Sequence, residues 1–405
     1  MRVPFYRPSV TEAEIEKVVE TMRSGWLTTG PRTREFEAAF AQKVGAKHAI
    51  ALNSCTAALH LGLEAVGLQR GDLVLVPSMT FAATAEVVRY FDAVPVFVDC
   101  EAQSLCMDPR ALAATVEALK AQRPVAGLAP PYGRLRAVIP MHYGGQPVDI
   151  DAIQAVARAH ELAIIEDAAH TLPAYSRANP GAPWRAVGTT ADITCFSFYA
   201  NKCITTGEGG MVVTDSDTYA ERIRIMSLHG MSKDAWKRFT AEGSWYYEIL
   251  APGFKYNLTD IASAIGLVQL GRADELWQGR RRVAEAYQRK LASVAGIDLP
   301  RELPDRQHSW HLYSIRVDPA QWRGGRAGFI QGLTERGVGT SVHWMPLHLH
   351  PYYRQTYGYG EGLFPVAEAA WPRLVSLPIF PDMRDDEIDH VVGAIHALAA
   401  ERVGS

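Results

Sequence analysis

Residues 193–214 read ITCFSFYANKCITTGEGGMVVT, in which two apolar runs flank a polar turn. Both runs are rich in β-branched and aromatic residues, which is typical of buried strands. Lys202 follows the first run directly, among small and hydroxyl-bearing side chains. The segment predicts a strand over 193–198, a turn that carries a lysine, and a second strand over 210–214.

Five earlier apolar runs extend this pattern towards the N-terminus, and helical patterns lie between several of them. The predicted strands are residues 48–54, 72–78, 94–99, 137–141 and 162–167, and the predicted helices are residues 56–66, 82–89, 109–122 and 149–160. Nearly continuous apolar strands that alternate with helices are typical of a sheet buried on both faces. The sequence therefore predicts an α/β fold with a mostly parallel seven-stranded sheet covered by helices.

Beyond this region the pattern changes to a long charged helical stretch over residues 267–297, with scattered signals after it. We expect a large domain over residues 25–265 and a smaller α+β domain over 266–405, which ends in a helix over 385–402. A helix over 11–22 is expected to place residues 1–24 against the smaller domain. Two stretches rich in Pro and Gly, 123–134 and 173–188, are predicted to be loops.

The composition excludes several classes of function. A formal net charge of −3, without any basic run, gives no attraction to nucleic acid. The first residues do not resemble a secretory signal, and no window approaches a membrane span. Five cysteines without C-x-x-C spacing argue against a disulfide framework or a zinc site. We expect a cytoplasmic protein without a metal.

Lys202 is the first candidate catalytic residue. A lysine presented into a cleft by the end of a strand has a lowered pKa, which makes its amine a nucleophile towards aldehydes. A lone lysine in a loop is far more often an ordinary surface residue. The neighbouring motifs decide between these interpretations.

Residues 162–170, LAIIEDAAH, bring a carboxylate to the end of a predicted strand. In open α/β sheets, ligands bind at this edge. Asp167 could keep a pyridine nitrogen protonated there, which makes a cofactor ring an electron sink. Capping of a following helix by Asp167 is the alternative.

Residues 53–59, NSCTAAL, place small and hydroxyl side chains where a strand meets a helix. Free backbone N–H groups at a helix N-terminus can bind a phosphate, although plain capping by Ser54 is an equal alternative. Phe81 ends the next predicted strand and could stack on a flat cofactor, although a lone Phe is more often a core residue.

Together these segments resemble the DegT-type family of sugar aminotransferases, within the fold-type I pyridoxal-phosphate enzymes. SFYANKCITTGEGG (197–210) is similar to the family's Schiff-base motif, and IIEDAAH (164–170) to its pyridine-nitrogen motif. The resemblance runs from about Trp26 to the C-terminus. It implies pyridoxal 5'-phosphate as the cofactor and Lys202 as the Schiff-base lysine that also moves the proton.

The resemblance also implies the remaining cofactor contacts. Asp167 would pair with the pyridine nitrogen, Phe81 would stack on the ring, and His170 would approach the phenolic oxygen. The residues implied around the phosphate are Cys55, Thr56, Ser197 and, from a neighbouring subunit, Asn257 of GFKYNLTD (253–260). An obligate homodimer with shared active sites follows. Cys55 stands where many members have Gly, which backbone contacts should tolerate.

Family substrates are nucleotide-linked keto-sugars, with glutamate as the usual amino donor, and residues 229–270 look most like the branch acting on UDP-linked 4-keto sugars. Candidate substrate contacts come from the start of the large domain and from the segment SVHWMPLHLH (341–350): Trp26, Thr28, Thr29, His343, Trp344 and His348.

Other functions agree less well with the sequence. The histidines of residues 341–350 match no metal-ligand pattern. GEGG (207–210) lacks G-x-G-x-x-G and precedes a strand, which argues against a nicotinamide dehydrogenase. Within the resembled family, a sugar dehydratase would have His in place of Lys202. A non-catalytic regulatory member is opposed by the joint presence of Lys202, Asp167 and Ser197.

Overall fold

The computed structural model describes residues 1–232 and 247–401, and a seven-stranded sheet is its central element. The strands up to residue 214 are β1 His48–Leu52, β2 Leu73–Pro77, β3 Val94–Val98, β4 Leu135–Val138, β5 Ala163–Asp167, β6 Tyr175–Ser176, β7 Arg185–Ala186, β8 Ile193–Ser197 and β9 Gly210–Thr214. The sheet has the order β1-β9-β8-β5-β4-β2-β3. Its neighbouring strands are parallel except for β9, which is antiparallel to β1 and β8. The predicted mostly parallel sheet is confirmed.

Helices cover both faces of this sheet. They are α1 Glu12–Arg23, α2 Pro31–Val44, α3 Cys55–Ala65, α4 Ala82–Arg89, α5 Pro109–Lys120, α6 Ile150–Ala159, α7 Asp217–Ser227, α8 Asp260–Gly271, α9 Ala273–Leu291, α10 Gly325–Glu335, α11 Pro351–Tyr357, α12 Pro365–Ala370 and α13 Asp385–Ala400. None of the helices in the described part of the chain has both the length and the apolar composition that crossing a membrane requires.

Strand β1 shows how side-chain alternation builds two cores. Ile50 and Leu52 lie in the core shared with α3, whereas Ala49 and Ala51 lie in the core shared with α2. Successive side chains of a strand point to opposite faces, so both faces of β1 must be apolar. The two cores hold the strand ends, and hence the polar groups carried there, in fixed positions.

A second, smaller sheet lies in the C-terminal part of the chain. It consists of β10 Ile297–Asp298, β12 Tyr313–Val317 and β13 Leu374–Leu377, and its core includes residues of α9, α10 and α13. Val3 belongs to the same core and pairs with the backbone of Gly337 and Gly339. Helix α1 packs on α8, which crosses residue 265, and Gln269 Nε2 of α8 donates to Glu14 Oε1 (2.7 Å). The division into domains at residue 265 stays a prediction.

Two local predictions differ from the structure. The helical stretch over 267–297 is divided between α8 and α9, with Arg272 between them, and ends at Leu291. The guanidinium of Arg272 binds both Glu14 and Glu275, so tertiary contacts fix the break. The predicted loop over 173–188 contains β6 and β7, which form a small sheet with β11 Arg306–Gln307. Each of these strands has only two residues, which is too short for the alternation of apolar and polar residues that predicts a strand from the sequence.

Candidate active site

Lys202 lies on the turn that follows β8, and its backbone N–H donates to Tyr199 O (3.0 Å). Its side chain is half-buried. Burial lowers the pKa of the Lys202 ammonium, while Cys55 and Asp167 nearby act in the opposite direction. Within residues 1–232 and 247–401, no group hydrogen bonds with the Lys202 ε-amine. The turn thus presents an amine that is free to react with a ligand.

Asp167 ends β5, beside the strand that precedes Lys202, and is 4% exposed. Its carboxylate accepts hydrogen bonds from Thr84 Oγ1 (2.7 Å) and from the Ala169 N–H (3.1 Å). Burial raises the pKa of Asp167, whereas these hydrogen bonds and Lys202 lower it. No helix begins directly after Asp167, so its role is not that of a helix cap. The structure places this carboxylate within electrostatic range of the Lys202 amine.

Thr84 is a supporting residue that the sequence reading missed. It lies in the first turn of α4, and its hydroxyl is 2.6 Å from that of Thr80. Because the Thr84 hydroxyl donates to Asp167, it must accept from Thr80. The sequence does contain a signal for this role. Two threonines lie four residues apart at the start of a helix, close to Phe81, and such a spacing places their side chains next to each other.

The start of α3 lies against the second half of the Lys202 turn. Ser54 caps the helix by accepting from the Ala57 N–H (3.0 Å), so capping does occur here. The preceding N–H groups, of Cys55 and Thr56, remain available to an anion, as in the first turn of any helix. A Cβ on Gly210 would lie 2.6 Å from Cys55 N, so only glycine permits this approach.

Ser197 comes to the same place through strand pairing. It is the register partner of Gly210, which contacts the start of α3. Cys55 lies near Asp167 and Lys202, and burial raises the pKa of its thiol well above the usual range. The structure therefore brings Cys55, Thr56 and Ser197 together at one end of the cleft.

Phe81 is 56% exposed, which is unusual for a phenylalanine and excludes a core role. Its ring lies 6.3 Å from that of Trp344, which stacks on His170 at 5.1 Å. His170 is buried, and its Nδ1 accepts from the Gly144 N–H (3.1 Å). Burial, together with Lys202, lowers the pKa of His170 well below its usual range, so the ring is neutral.

The segment over 341–350 divides between the site and the packing behind it. Burial and then Lys202 lower the pKa of His343 to about 4, which places this ring near the amine. His348 is 0% exposed, and its ring nitrogens bind Ser78 Oγ (2.7 Å) and Glu368 Oε1 (3.1 Å). With both nitrogens engaged, His348 offers a substrate no free atom. The structure does not bring it to the site.

Trp26, Thr28, Thr29 and Asn257 form a separate group beside the end of β1. Trp26 Nε1 donates to Thr29 O (3.2 Å), and Asn257 Nδ2 donates to Thr29 Oγ1 (2.6 Å). Thr28 O accepts from the N–H of Asp260 at the start of α8 (3.2 Å). Asn257 also bridges to Leu52 of β1. Within residues 1–232 and 247–401, no hydrogen bond joins Thr28, Thr29 or Asn257 to Lys202.

An open cavity of about 540 Å³ adjoins Phe81 and Trp344. Its walls are mainly apolar and include the aromatic rings of Tyr90, Tyr352 and Tyr353. Small-molecule sites have this size and combine apolar walls with a few polar groups. A substrate therefore has room beside the exposed Phe81 ring.

The residues present fit pyridoxal phosphate. An amine without a hydrogen-bond partner can bond an aldehyde, and Asp167 can hold a pyridine N–H. The start of α3, with Ser197, can bind a phosphate, and Phe81 exposes a face on which a ring can stack. Lys202 lies within electrostatic range of Asp167 and of Cys55 at the start of α3, and Trp344 links the Phe81 ring to His170.

Comparison with known proteins gives the same class. The chain matches the DegT/DnrJ/EryC1/StrS aminotransferase family over residues 8–396. It is 43% identical to the spore coat polysaccharide biosynthesis protein SpsC of Bacillus subtilis, over 98% of this chain and 97% of SpsC. It is 31% identical to Spr1654 of Streptococcus pneumoniae, a proposed sugar aminotransferase, with a TM-score of 0.86 over 99% of both chains.

Spr1654 has been solved in PLP and PMP forms, which fits pyridoxal phosphate as the cofactor of this group. Helicobacter pylori PseC, an aminotransferase involved in the biosynthesis of pseudoaminic acid, is 25% identical, with a TM-score of 0.84 over 99% of this chain and 100% of PseC. Fold and site thus define a fold-type I aminotransferase. The chain belongs to the DegT/DnrJ/EryC1/StrS family of sugar aminotransferases, which confirms the predicted family, fold and enzyme class.

Proposed function

We propose that this chain binds pyridoxal phosphate at Lys202 and moves an amino group from glutamate to a UDP-linked 4-keto sugar. The observation that carries this proposal is the position of Lys202, whose amine accepts and donates no hydrogen bond within the described residues and lies within electrostatic range of both Asp167 and Cys55 at the start of α3. The cofactor, when bound, supplies an aldehyde that bonds amines and a ring that accepts negative charge.

Lys202 moves the protons in both halves of the proposed reaction. Its Nζ accepts a proton from the α-carbon of glutamate in the first half and returns a proton to the sugar carbon in the second. A lowered pKa keeps part of the amine unprotonated, as a general base requires. Because one amine serves both halves in turn, we expect ping-pong kinetics.

Asp167 holds the ring nitrogen in its protonated form. The carboxylate is buried, so its charge acts through a medium of low dielectric constant. Cys55, Thr56 and Ser197 bind the phosphate, while Phe81 packs on one face of the ring. His170 is neutral and therefore suits a hydrogen bond to the phenolic oxygen.

The nature of the acceptor rests on the resemblance of residues 229–270 to the UDP-4-keto-sugar branch, part of which, 233–246, lies outside the described residues. The names of SpsC and PseC refer to polysaccharide and pseudoaminic acid biosynthesis, which supports a saccharide substrate. Among the proposed substrate contacts, His343 and Trp344 lie beside the cofactor cleft, and the adjoining aromatic cavity offers room for the nucleotide sugar.

The direct test is a panel of UDP- and dTDP-linked 3-keto and 4-keto sugars, each incubated with glutamate and the holoenzyme. Mass spectrometry should find the amino sugar only with a UDP-linked 4-keto substrate, and glutamate should bleach the visible absorption of the bound cofactor. Lys202→Ala is the control and should lose about 10⁴-fold in turnover while still binding the amine form of the cofactor. Retained turnover in this variant would overturn the assignment of Lys202.

We further propose a homodimer in which Asn257 reaches the phosphate site of the partner. Several apolar side chains are exposed in the two segments that lead along the chain to Asn257 and to its partner Thr29, namely Tyr247, Ile249, Leu250 and Leu27. Exposed apolar side chains grouped in this way are typical of a surface that another subunit covers. With Thr28 and Thr29, Trp26 would then line the entrance for the partner's substrate.

Mixed dimers test the shared site. Asn257→Ala should weaken cofactor retention in the homodimer, and Lys202→Ala should abolish turnover. If each site draws on both subunits, a mixed dimer of these variants contains one site with both defects and one with neither, so activity returns on mixing. A mixture that stays inactive, although native mass spectrometry detects mixed dimers, refutes the shared site.

All five cysteines are free thiols in the structure. Free thiols are stable in a reducing compartment, which supports our proposal of a cytoplasmic enzyme. Fractionation of the native host should recover the protein in the soluble reducing compartment, and recovery elsewhere would contradict this.

A further inference from the structure

A buried arginine lies directly behind the Lys202 turn. Arg280 of α9 is 2% exposed and belongs to the largest fully buried side chains. Its guanidinium donates to Lys202 O (3.1 Å) and to Ile379 O (3.2 Å), while its Nε is buried without an acceptor. Within residues 1–232 and 247–401, no carboxylate forms an ion pair with this guanidinium, and Asp382 acts on it only electrostatically, from beyond ion-pair distance.

Such a residue is costly to retain for stability alone. A buried cation without an ion pair loses hydration that two carbonyl contacts replace only in part. An apolar side chain of similar volume would fill the space at lower cost. The contacts of the guanidinium, rather than its volume, therefore explain why an arginine suits this position.

The two carbonyl groups belong to different parts of the molecule. Lys202 lies on the turn after β8 of the large sheet, whereas Ile379 lies in the core of the smaller sheet. The N-terminal segment adds a parallel contact, because Tyr6 OH donates to Ala200 O. Two donors from outside the large sheet thus hold carbonyl groups of the same short turn.

We propose that Arg280 is a positioning residue that fixes the backbone of Lys202 against the smaller core and so keeps the ε-amine aimed into the cleft. It touches neither cofactor nor substrate and acts through the lysine that it holds. The inference rests on the proposed catalytic role of Lys202. A fork with several fixed donors can bind two carbonyl groups at once, which a lysine cannot reproduce.

Arg280→Met is the main test, because it keeps most of the volume and removes the donors. We expect faster amide hydrogen exchange in the peptide over 199–206 of the cofactor-free protein, with unchanged exchange in the large sheet. In the holoenzyme kcat should fall about 100-fold, as for a displaced catalytic group, with little change in the KM of the amino donor. Arg280→Lys should have an exchange rate and a kcat between those of Arg280→Met and the wild type.

Arg282→Met is the matched control on the same helix. Arg282 is more exposed and contacts Asp385 and Met383 O, away from Lys202. This variant should keep the exchange rate over 199–206 and the kcat of the wild type. If Arg280→Met does not fold, Arg280→Lys carries the same measurements, and Tyr6→Phe should raise exchange in the same peptide.

The outcomes separate this inference from the proposed function. If Lys202→Ala abolishes turnover but Arg280→Met and Arg280→Lys match the wild type in exchange and kcat, the positioning role is refuted and the function stands. If Lys202→Ala keeps its turnover, the function itself fails, whatever Arg280 does.

Discussion

Two adjacent carboxylates at the end of β5 have almost equal burial and different surroundings. Asp167 accepts from Thr84 Oγ1 and lies within electrostatic range of Lys202, while Glu166, at 0% exposure, accepts from Thr194 Oγ1 (2.8 Å) and Thr190 Oγ1 (3.2 Å). Alternation along the strand sends them to opposite faces of the sheet. Burial alone therefore does not define a functional carboxylate; the face of the sheet does.

The His142 ring lies on the Glu166 side, with Nε2 3.6 Å from Glu166 Oε1. Burial lowers the pKa of His142 to about 3, so the ring is neutral and offers Glu166 no compensating charge. Burial raises the pKa of Glu166 to about 7. Glu166 is thus a buried acid that faces threonines and a neutral histidine, while Asp167 lies within electrostatic range of the Lys202 amine.

The largest expected difference between the two faces is in turnover. Asp167→Asn keeps the shape and can still accept from Thr84, but it removes the negative charge beside the ring nitrogen. We expect turnover to fall about 10³-fold, as for loss of a preorganised electrostatic group. Glu166→Gln is the matched control and should keep most of the turnover. Equal losses in steady-state assays of the two holoenzymes would break the comparison.

The second difference is in stability and its dependence on pH. Because the pKa of Glu166 is raised from 4.5 to about 7, ionisation is harder in the folded state. The cost of ionising Glu166 in the folded state is absent below the unfolded pKa and complete above the folded pKa. Glu166→Gln avoids this cost, so its free energy of unfolding should exceed that of the wild type by up to about 3 kcal/mol at about pH 8.

Urea unfolding of the wild type and Glu166→Gln at about pH 5 and pH 8 measures this effect. The difference in free energy of unfolding between Glu166→Gln and the wild type should grow with pH across that interval. A gain that is the same at both values would show that Glu166 does not titrate in this window.

The smallest expected difference concerns the supporting threonines. Thr84→Val removes a hydrogen-bond donor to Asp167. We expect the free energy of unfolding to fall by about 1–2 kcal/mol and turnover to fall about tenfold. Since this hydrogen bond lowers the pKa of Asp167, its loss should move the acid limb of the pH–rate profile to higher pH. Thr194→Val removes the corresponding donor to Glu166 and should leave that profile unchanged. A shift in both variants would contradict the assignment of the two faces.

The sheet and the ends of its strands could be predicted from the sequence because apolar runs and strand-end motifs are local. Asp167 ends β5 and Lys202 follows β8, and because these two strands are parallel neighbours, both residues lie at the same edge of the sheet, as predicted. Thr84 was missed because its partner is distant in sequence, and Arg280 because a charged residue in a helix normally faces solvent.

Irregular segments were less predictable. In the stretch over 341–350, His343 and His348 are five positions apart, yet one lies near the amine and the other is enclosed by Ser78 and Glu368. An irregular segment lacks the regular side-chain period of a helix or a strand. Two residues that are close along such a chain can therefore point into different parts of the structure. The break between α8 and α9 also depends on a distant residue, Glu14.

Gly210 belongs to β9, the strand that runs against its neighbours and carries no reactive group. Its lack of a side chain lets the start of α3 rest on the sheet, with Ser54 and Cys55 in contact. The distance between the Lys202 turn and the proposed phosphate site at the start of α3 is thus set by one missing methyl group. Even alanine here would force the helix outwards, and a ligand held at both ends would no longer span the gap.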